Sequence, residues 1–271
     1  MQRKLARSGA MSRRKSAGFT LVELAVVLAV IGLIIGAMAI GKDVQRNAEY
    51  TKVKNKFIDQ WEQAYNQYYL RTGVVVGDNQ IQPQLMVNGA AFVTAGLTSG
   101  GNMTNIAPPG RVCDKADGRG MTDRAAGVGG VAINLRTLMS QTGIRMPPGR
   151  AEGFEDRYVY LDSNGNPQEI QVCFQWNSPS SAEGSGNAMI ISGLTPDLAR
   201  MLDQMVDGKP DAQEGRFRLQ GVANGVANAP GVQWNRTNDD SIAGGAGAAG
   251  NNRQFDEDQV ATVVAIYKMN Q

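Results

Sequence analysis

The 271-residue chain has no histidine and only two cysteines. The first absence removes histidine-based catalytic triads and the common zinc sites. The second limits internal cross-linking to a single bridge. No phosphate-cradling loop is present, and the carboxylates form no paired acid and base, so nothing argues for an enzyme. Acids are missing from residues 1–18, which carry Arg3, Lys4, Arg7, Arg13, Arg14 and Lys15. Proline is missing from the 22 residues Phe19 to Ile40, whose only charge is Glu23.

That apolar run would make about 33 Å of helix, enough to span a bilayer core. The basic leader places the N-terminus in the cytoplasm and the remainder outside. Ala37-Met38-Ala39 could serve an ordinary signal peptidase, and a simple signal anchor also fits the length. Both readings leave Glu23 unexplained, and a carboxylate at that depth costs about 3 kcal/mol or more unless it is partnered. Met11 offers a second start with a shorter leader.

Gly18-Phe19-Thr20-Leu21-Val22-Glu23-Leu24 behind a short basic leader resembles the N-terminal motif of type IV prepilins and the related type II secretion pseudopilins. The resemblance is strong from Gly18 through the low 40s and extends to about Gly73. It implies cleavage between Gly18 and Phe19 by a prepilin peptidase, then N-methylation of Phe19. It makes Glu23 the buried glutamate of the family. Helices already in lipid gain little hydrophobic free energy on associating, so close packing and sheltered polar pairs must hold them together. Glu23 paired with the Phe19 amine of a neighbouring copy would fix the axial register. Gly32 and Gly36, spaced Gly-x-x-x-Gly, allow close helix approach, and with Gly41 they weaken the helix locally. Many pilins have a proline in this stretch; here Ile40-Gly41 stands there, leaving local unwinding less assured.

The pattern predicts one helix from Phe19 to about residue 71, capped by Gly73. Val44, Ala48, Thr51, Ile58, Trp61, Tyr65 and Tyr68 form its inward stripe. Lys42, Arg46, Lys52, Lys54 and Lys56 take the other faces. The rings Tyr50, Phe57, Trp61, Tyr65, Tyr68 and Tyr69 read as the seam between helix and head rather than a path for electrons. The organisation expected is a cleaved leader at 1–18, a membrane and filament-core helix at 19–41, an amphipathic helix at 42–72 and a globular head at 73–271. The fold class expected is α+β, a type IV pilin fold with an antiparallel sheet packed on the long helix.

Bases exceed acids by 27 to 25 in the whole chain, but without the six bases of residues 1–18 the balance is 21 to 25, a net of −4. No overall positive field is left to recruit nucleic acid. In the head, Val131–Thr142 reads as a helix with Leu135, Leu138 and Met139 inward and Gly143 as cap. Arg157–Leu161 and Glu169–Trp176 read as a hairpin about Ser163-Asn164-Gly165-Asn166, with Asn-Gly at positive φ. Thr195 caps a helix opened by Pro196 and running to about Val206. Arg216–Gln220 and Val260–Lys268 read as strands, and 177–187, 221–231 and 242–252 as loops.

Cys113 and Cys173 both fall in the exported part, where an oxidising compartment favours a bridge worth ~4 kcal/mol. Two separate buried thiols are the alternative. Asp203, Asp207, Gly208, Asp211 and Glu214 fall at positions 1, 5, 6, 9 and 12 of a calcium-loop pattern, but Met205 at position 3 offers no hard oxygen. A helix ending in an Asp-Gly turn with a solvated acidic face is the preferred reading, and calcium the competing one; no other cofactor is implied. Leu194 to Arg218 loosely resembles the head of some larger prepilin-like proteins. Asn102-Met103-Thr104 and Asn235-Arg236-Thr237 match a glycosylation triplet. The expected product is a pilin held in the bacterial inner membrane as a precursor and then built into an extracellular homopolymeric filament. Its expected partners are its own copies, the peptidase and the inner-membrane assembly machinery. A pseudopilin or minor pilin is the nearest alternative, and a secreted binding domain behind an ordinary signal the remote one.

Overall fold

The structure is a computed structural model of the chain and describes residues 20–78, 80, 83–87, 135–177, 181, 183–222, 231–234 and 262–269. It divides into two compact units, Met1–Gln45 and Arg46–Gln271. In the first unit the described residues are Thr20 and the first part of helix α1, which as a whole spans Leu21–Val53. The helix runs unbroken through Ile40 and Gly41, so local unwinding at that point is absent. No proline removes a backbone donor there, and glycine alone weakens a helix without ending it.

The irregularity sits further on. Lys54–Ile58 forms one π-helical turn, and α2 continues the chain as Asp59–Thr72. The long helix is therefore a composite, and its wider turn sends consecutive Phe57 and Ile58 into the core. A 3.6-residue template cannot express such a turn. The inward stripe begins at Tyr50 and includes Val53 and Phe57, whereas Val44 is exposed and Ala48 lies on the surface. Gly73 ends α2 with φ 74°, its N–H bonded to the Tyr69 carbonyl, in agreement with the sequence expectation.

The second unit contains α3 (Leu135–Gln141) and α4 (Pro196–Asp207). Its five strands are β1 (Arg157–Leu161), β2 (Pro167–Asn177), β3 (Gly186–Leu194), β4 (Phe217–Leu219) and β5 (Val263–Lys268). They form one antiparallel sheet in the order β1-β2-β3-β5-β4. The central strand β3 is not predicted by the sequence pattern, which reads its first residues as loop. Its burial is nearly continuous, so it shows no alternation, and Gly186, Asn187 and Gly193 depress its strand propensity.

Registers align the core in rows. Phe174, Met189, Tyr267 and Phe217 are paired in sequence across β2, β3, β5 and β4, and Val172, Ile191, Ala265 and Leu219 form the next row. All eight belong to the main core, together with Tyr50, Phe57, Trp61, Tyr65 and Tyr68. Ring meets ring along the seam: Phe57 with Tyr158 at 5.3 Å, Tyr65 with Phe174 at 5.1 Å and Trp61 with Phe174 at 6.1 Å. Polar edges tie the same layers, with Trp61 Nε1 donating to the Glu155 carbonyl and Tyr267 Oη donating to Glu62 Oε2.

Two local expectations need correction. In the β1–β2 turn only Gly165 takes positive φ; Asn164 does not. The turn is organised by Asp162, whose Oδ1 accepts the N–H groups of Asn164 and Asn166, so β2 starts at Pro167. Thr195 occupies the N-cap position of α4 but gives no side-chain cap. Tyr160 donates to its hydroxyl, and Asp197 takes backbone donors of the first turn. Helix α3 is described from Leu135, with Leu135 and Met139 buried and Leu138 partly so. Residues 131–134 and 242–252, and most of 221–231, lie outside the described residues.

Candidate functional site

Gly18 and Phe19 lie outside the described residues, which begin at Thr20. Thr20 is the N-cap of α1: its carbonyl accepts the Leu24 N–H at 3.2 Å, and its Oγ1 accepts the Glu23 N–H at 3.2 Å. Glu23 Oε2 reaches back and accepts both the Thr20 N–H at 2.8 Å and the Thr20 hydroxyl at 2.9 Å. This is a reciprocal capping box. Thr-x-x-Glu is its signal in the sequence, masked there by the apolar run that surrounds it.

The capping box changes how the carboxylate is understood. One oxygen is held by its own helix start, which lowers the penalty of keeping Glu23 in an apolar segment. None of these bonds uses Oε1. Around it, Leu21, Val22, Leu24, Val26, Val27 and Leu28 are all exposed. A methyl group placed at Gly32, Gly36 or Gly41 would meet nothing within 4 Å among the described residues. By length and composition, the helix Leu21–Thr72 could cross a membrane.

The acidic residues in the last turns of α4 and just beyond it are not arranged as a solvated face. Asp203 is fully buried and Asp211 nearly so. Asp203 Oδ2 accepts the Asp211 N–H at 2.6 Å and the Trp234 indole N–H at 2.8 Å. Asp207 Oδ2 accepts the N–H groups of Arg216 and Phe217, both at 2.8 Å. Lys209 sits 2.8 Å from Asp211 Oδ2 and 2.9 Å from Glu214 Oε2. Each carboxylate is thus turned toward its own donors, and no three metal-competent side chains group together among the described residues. Gly215 and Gly231 have no side chain because a Cβ there would overlap the carboxylates of Asp207 and Asp211. Burial, reinforced by Asp207 and Asp211, pushes the Asp203 carboxyl up to about 7 against its two hydrogen bonds. Burial also raises Asp211, but Lys209 and backbone donors outweigh it and hold that carboxyl below its ordinary range. Trp234 completes this arrangement and stacks on Phe217 at 5.5 Å. Nothing in the sequence marks it, because it stands isolated among loop-forming residues.

Cys173 is buried in β2. Its expected partner Cys113, and both glycosylation triplets, lie outside the described residues.

No curated protein and no solved structure matches the chain. Residues 13–39 match the family described as the prokaryotic N-terminal methylation motif, a signal of the kind type IV pilins carry, and the match runs from the basic leader into the long helix.

Proposed function

We propose that this protein is a structural pilin subunit that polymerises through its N-terminal helix into an extracellular type IV filament. Prepilin peptidase cuts between Gly18 and Phe19, and the new Phe19 amine is methylated. The precursor waits in the inner membrane, and assembly machinery there passes it into a homopolymer. Glu23 carries this reading: it is an acid held by a capping box at the start of an exposed apolar helix, within the methylation motif. On assembly Glu23 Oε1 receives the Phe19 amine of an adjoining copy, while Gly32 and Gly36 let helices close together and Gly41 lends local pliancy.

The experiment is Glu23→Ala in the native host. Cleavage at Phe19 continues and filaments containing the protein disappear or lose order; normal filaments would refute the pairing. Sequencing the mature terminus separates the remote alternative, since ordinary export would begin the chain at Ile40. A pseudopilin shares the same helix physics, and the large head weighs against the major one. Shearing cells and asking whether this polypeptide dominates the released fibres distinguishes pilus from pseudopilus and a major subunit from a minor one.

A further inference from the structure

Beside the core-facing stripe of α2 lies a flank of amides. Gln60, Gln63 and Gln67 are spaced three and four residues apart, so they share one side of the helix, with buried Ala64 between them. Opposite runs Arg145-Met146-Pro147-Pro148, and the two walls enclose a cleft of about 350 Å³. That volume falls in the lower part of the range for small-ligand sites, about 300–1,000 Å³. The walls are anchored at both ends. Gly143 turns the chain at φ 67° after α3, and Arg71 of α2 donates to the Thr142 and Gly143 carbonyls, both at 2.8 Å. The two prolines hold the residues before them extended, and buried Ile144 and Pro147 seat the segment on the core. At the far end the Arg150 N–H is bonded to the Phe154 and Arg157 carbonyls.

The polar side chains of this cleft are uncommitted. The Gln60, Gln63 and Gln67 amides and the Arg145 guanidinium make no hydrogen bond or ion pair with another described residue. Other arginines of the same unit differ: Arg71, Arg136 and Arg150 each donate to a carbonyl or a carboxylate. No acid lines the cleft, and Pro147 and Pro148 bring no backbone N–H to it. We propose that the cleft binds an acidic saccharide, through a sugar unit carrying one carboxylate. The flat guanidinium of Arg145 matches a carboxylate in a two-pronged pair. Each glutamine amide both donates and accepts, as a sugar hydroxyl does. Ala64, Met146 and Pro147 supply an apolar floor for the C–H face of the ring. A phosphate dianion would find one cation and no backbone donor, so its second charge would go unmet. A carboxylate from an adjoining copy would occupy Arg145 but leave three amides without partners. This activity goes beyond filament assembly and does not depend on it.

Calorimetric titration of the full-length protein, in a detergent without a sugar headgroup, supplies the test. The probes are oligomers of galacturonic, glucuronic and mannuronic acid. At least one binds saturably, and its carboxyl-reduced counterpart binds about tenfold more weakly, as loss of a charge-assisted hydrogen bond requires. Arg145→Gln produces the same loss, and Gln63→Ala combined with Gln67→Ala a several-fold one. All four positions that bear the polar groups lie at or near the surface, so circular dichroism stays unchanged. Lys52→Gln, which removes a charge outside the cleft, binds as the wild type does. No saturable binding by any of the three oligomers, equal binding of the reduced form, or indifference to Arg145→Gln overturns the proposal. Inorganic phosphate competing as well as the uronate does would also overturn it, in favour of a simple anion site. Self-association in detergent that Arg145→Gln abolishes would assign the cleft to a second copy and overturn it likewise. A mature terminus other than Phe19 would sink the pilin reading and leave the titrations standing.

Discussion

Tyr50 Oη donates a 2.5 Å hydrogen bond to Asp197 Oδ2, joining the long helix to the first turn of α4 across 147 residues of sequence. Burial would raise the Asp197 carboxyl, but bonds from Tyr50, Thr195 and the first-turn N–H groups outweigh it and hold it below the ordinary range. Burial and the same carboxylate drive the Tyr50 phenol upward. A depressed carboxyl stabilises the fold above its unfolded value near ~4, and that contribution fades as pH falls through the lower folded value.

Tyr50→Phe should therefore destabilise the head by about 1.5–3 kcal/mol at neutral pH, the range for a hydrogen bond to a charged group. The gap from wild type should narrow in strong acid. Thermal unfolding of the full-length protein in detergent, followed by circular dichroism across pH, measures both. A gap independent of pH would show that the lost bond does not involve the carboxylate.

Asp203 should behave in the opposite sense. Its folded carboxyl is raised to about 7, so the folded state binds the extra proton between the unfolded value and that point. Stability from this group is fullest in acid and drains away as pH rises toward 7. Asp203→Asn removes the titration while keeping an acceptor for Trp234 and the Asp211 N–H. The variant should gain on wild type between pH 5 and pH 8, judged by melting temperature. A constant offset across that window would exclude a raised carboxyl.

Gly193 lies in β3 at φ 79°, inside the register shift between Ile191 and Leu194, and a Cβ there would overlap the Glu169 carbonyl oxygen. Gly193→Ala should cost ~2–4 kcal/mol or prevent folding. Gly165→Ala, also at positive φ but with open space around it, incurs only the backbone strain and should cost about 1 kcal/mol. Equal costs at the two positions would show that the close approach in β3 is unimportant.

Thr20→Val tests the capping box apart from assembly. Loss of an N-cap costs about 0.5–2 kcal/mol of local helix stability. Exchange of the first-turn amides should speed up, measured on the detergent-solubilised protein, while Glu23 stays available and filaments still form. Thr20→Val without filaments would mean that the cap, rather than the second carboxylate oxygen, controls assembly.

The hairpin β1–β2, helix α4, strand β5 and the Gly73 cap are legible in the sequence because each depends on near neighbours: alternation, a Pro at the first helical position, a glycine at a helix end. The π turn is not, because it departs from the only helical period that sequence reading assumes. Strand β3 is hidden by its position at the centre of the sheet, where burial on both faces erases alternation. Asp203 looks like a solvated acid near a helix end because nothing adjacent announces that Trp234 and the Asp211 amide will close over it.

Local chemistry thus determined the basic start of the chain, the methylation motif, the apolar helix and its single acid, since charge, hydropathy and motif are properties of contiguous residues. Tertiary structure alone decided which rings meet, which carboxylates are buried and where glycine is obligatory. Those outcomes depend on atoms brought together from distant parts of the chain, and burial is a property of what surrounds a side chain rather than of the side chain itself.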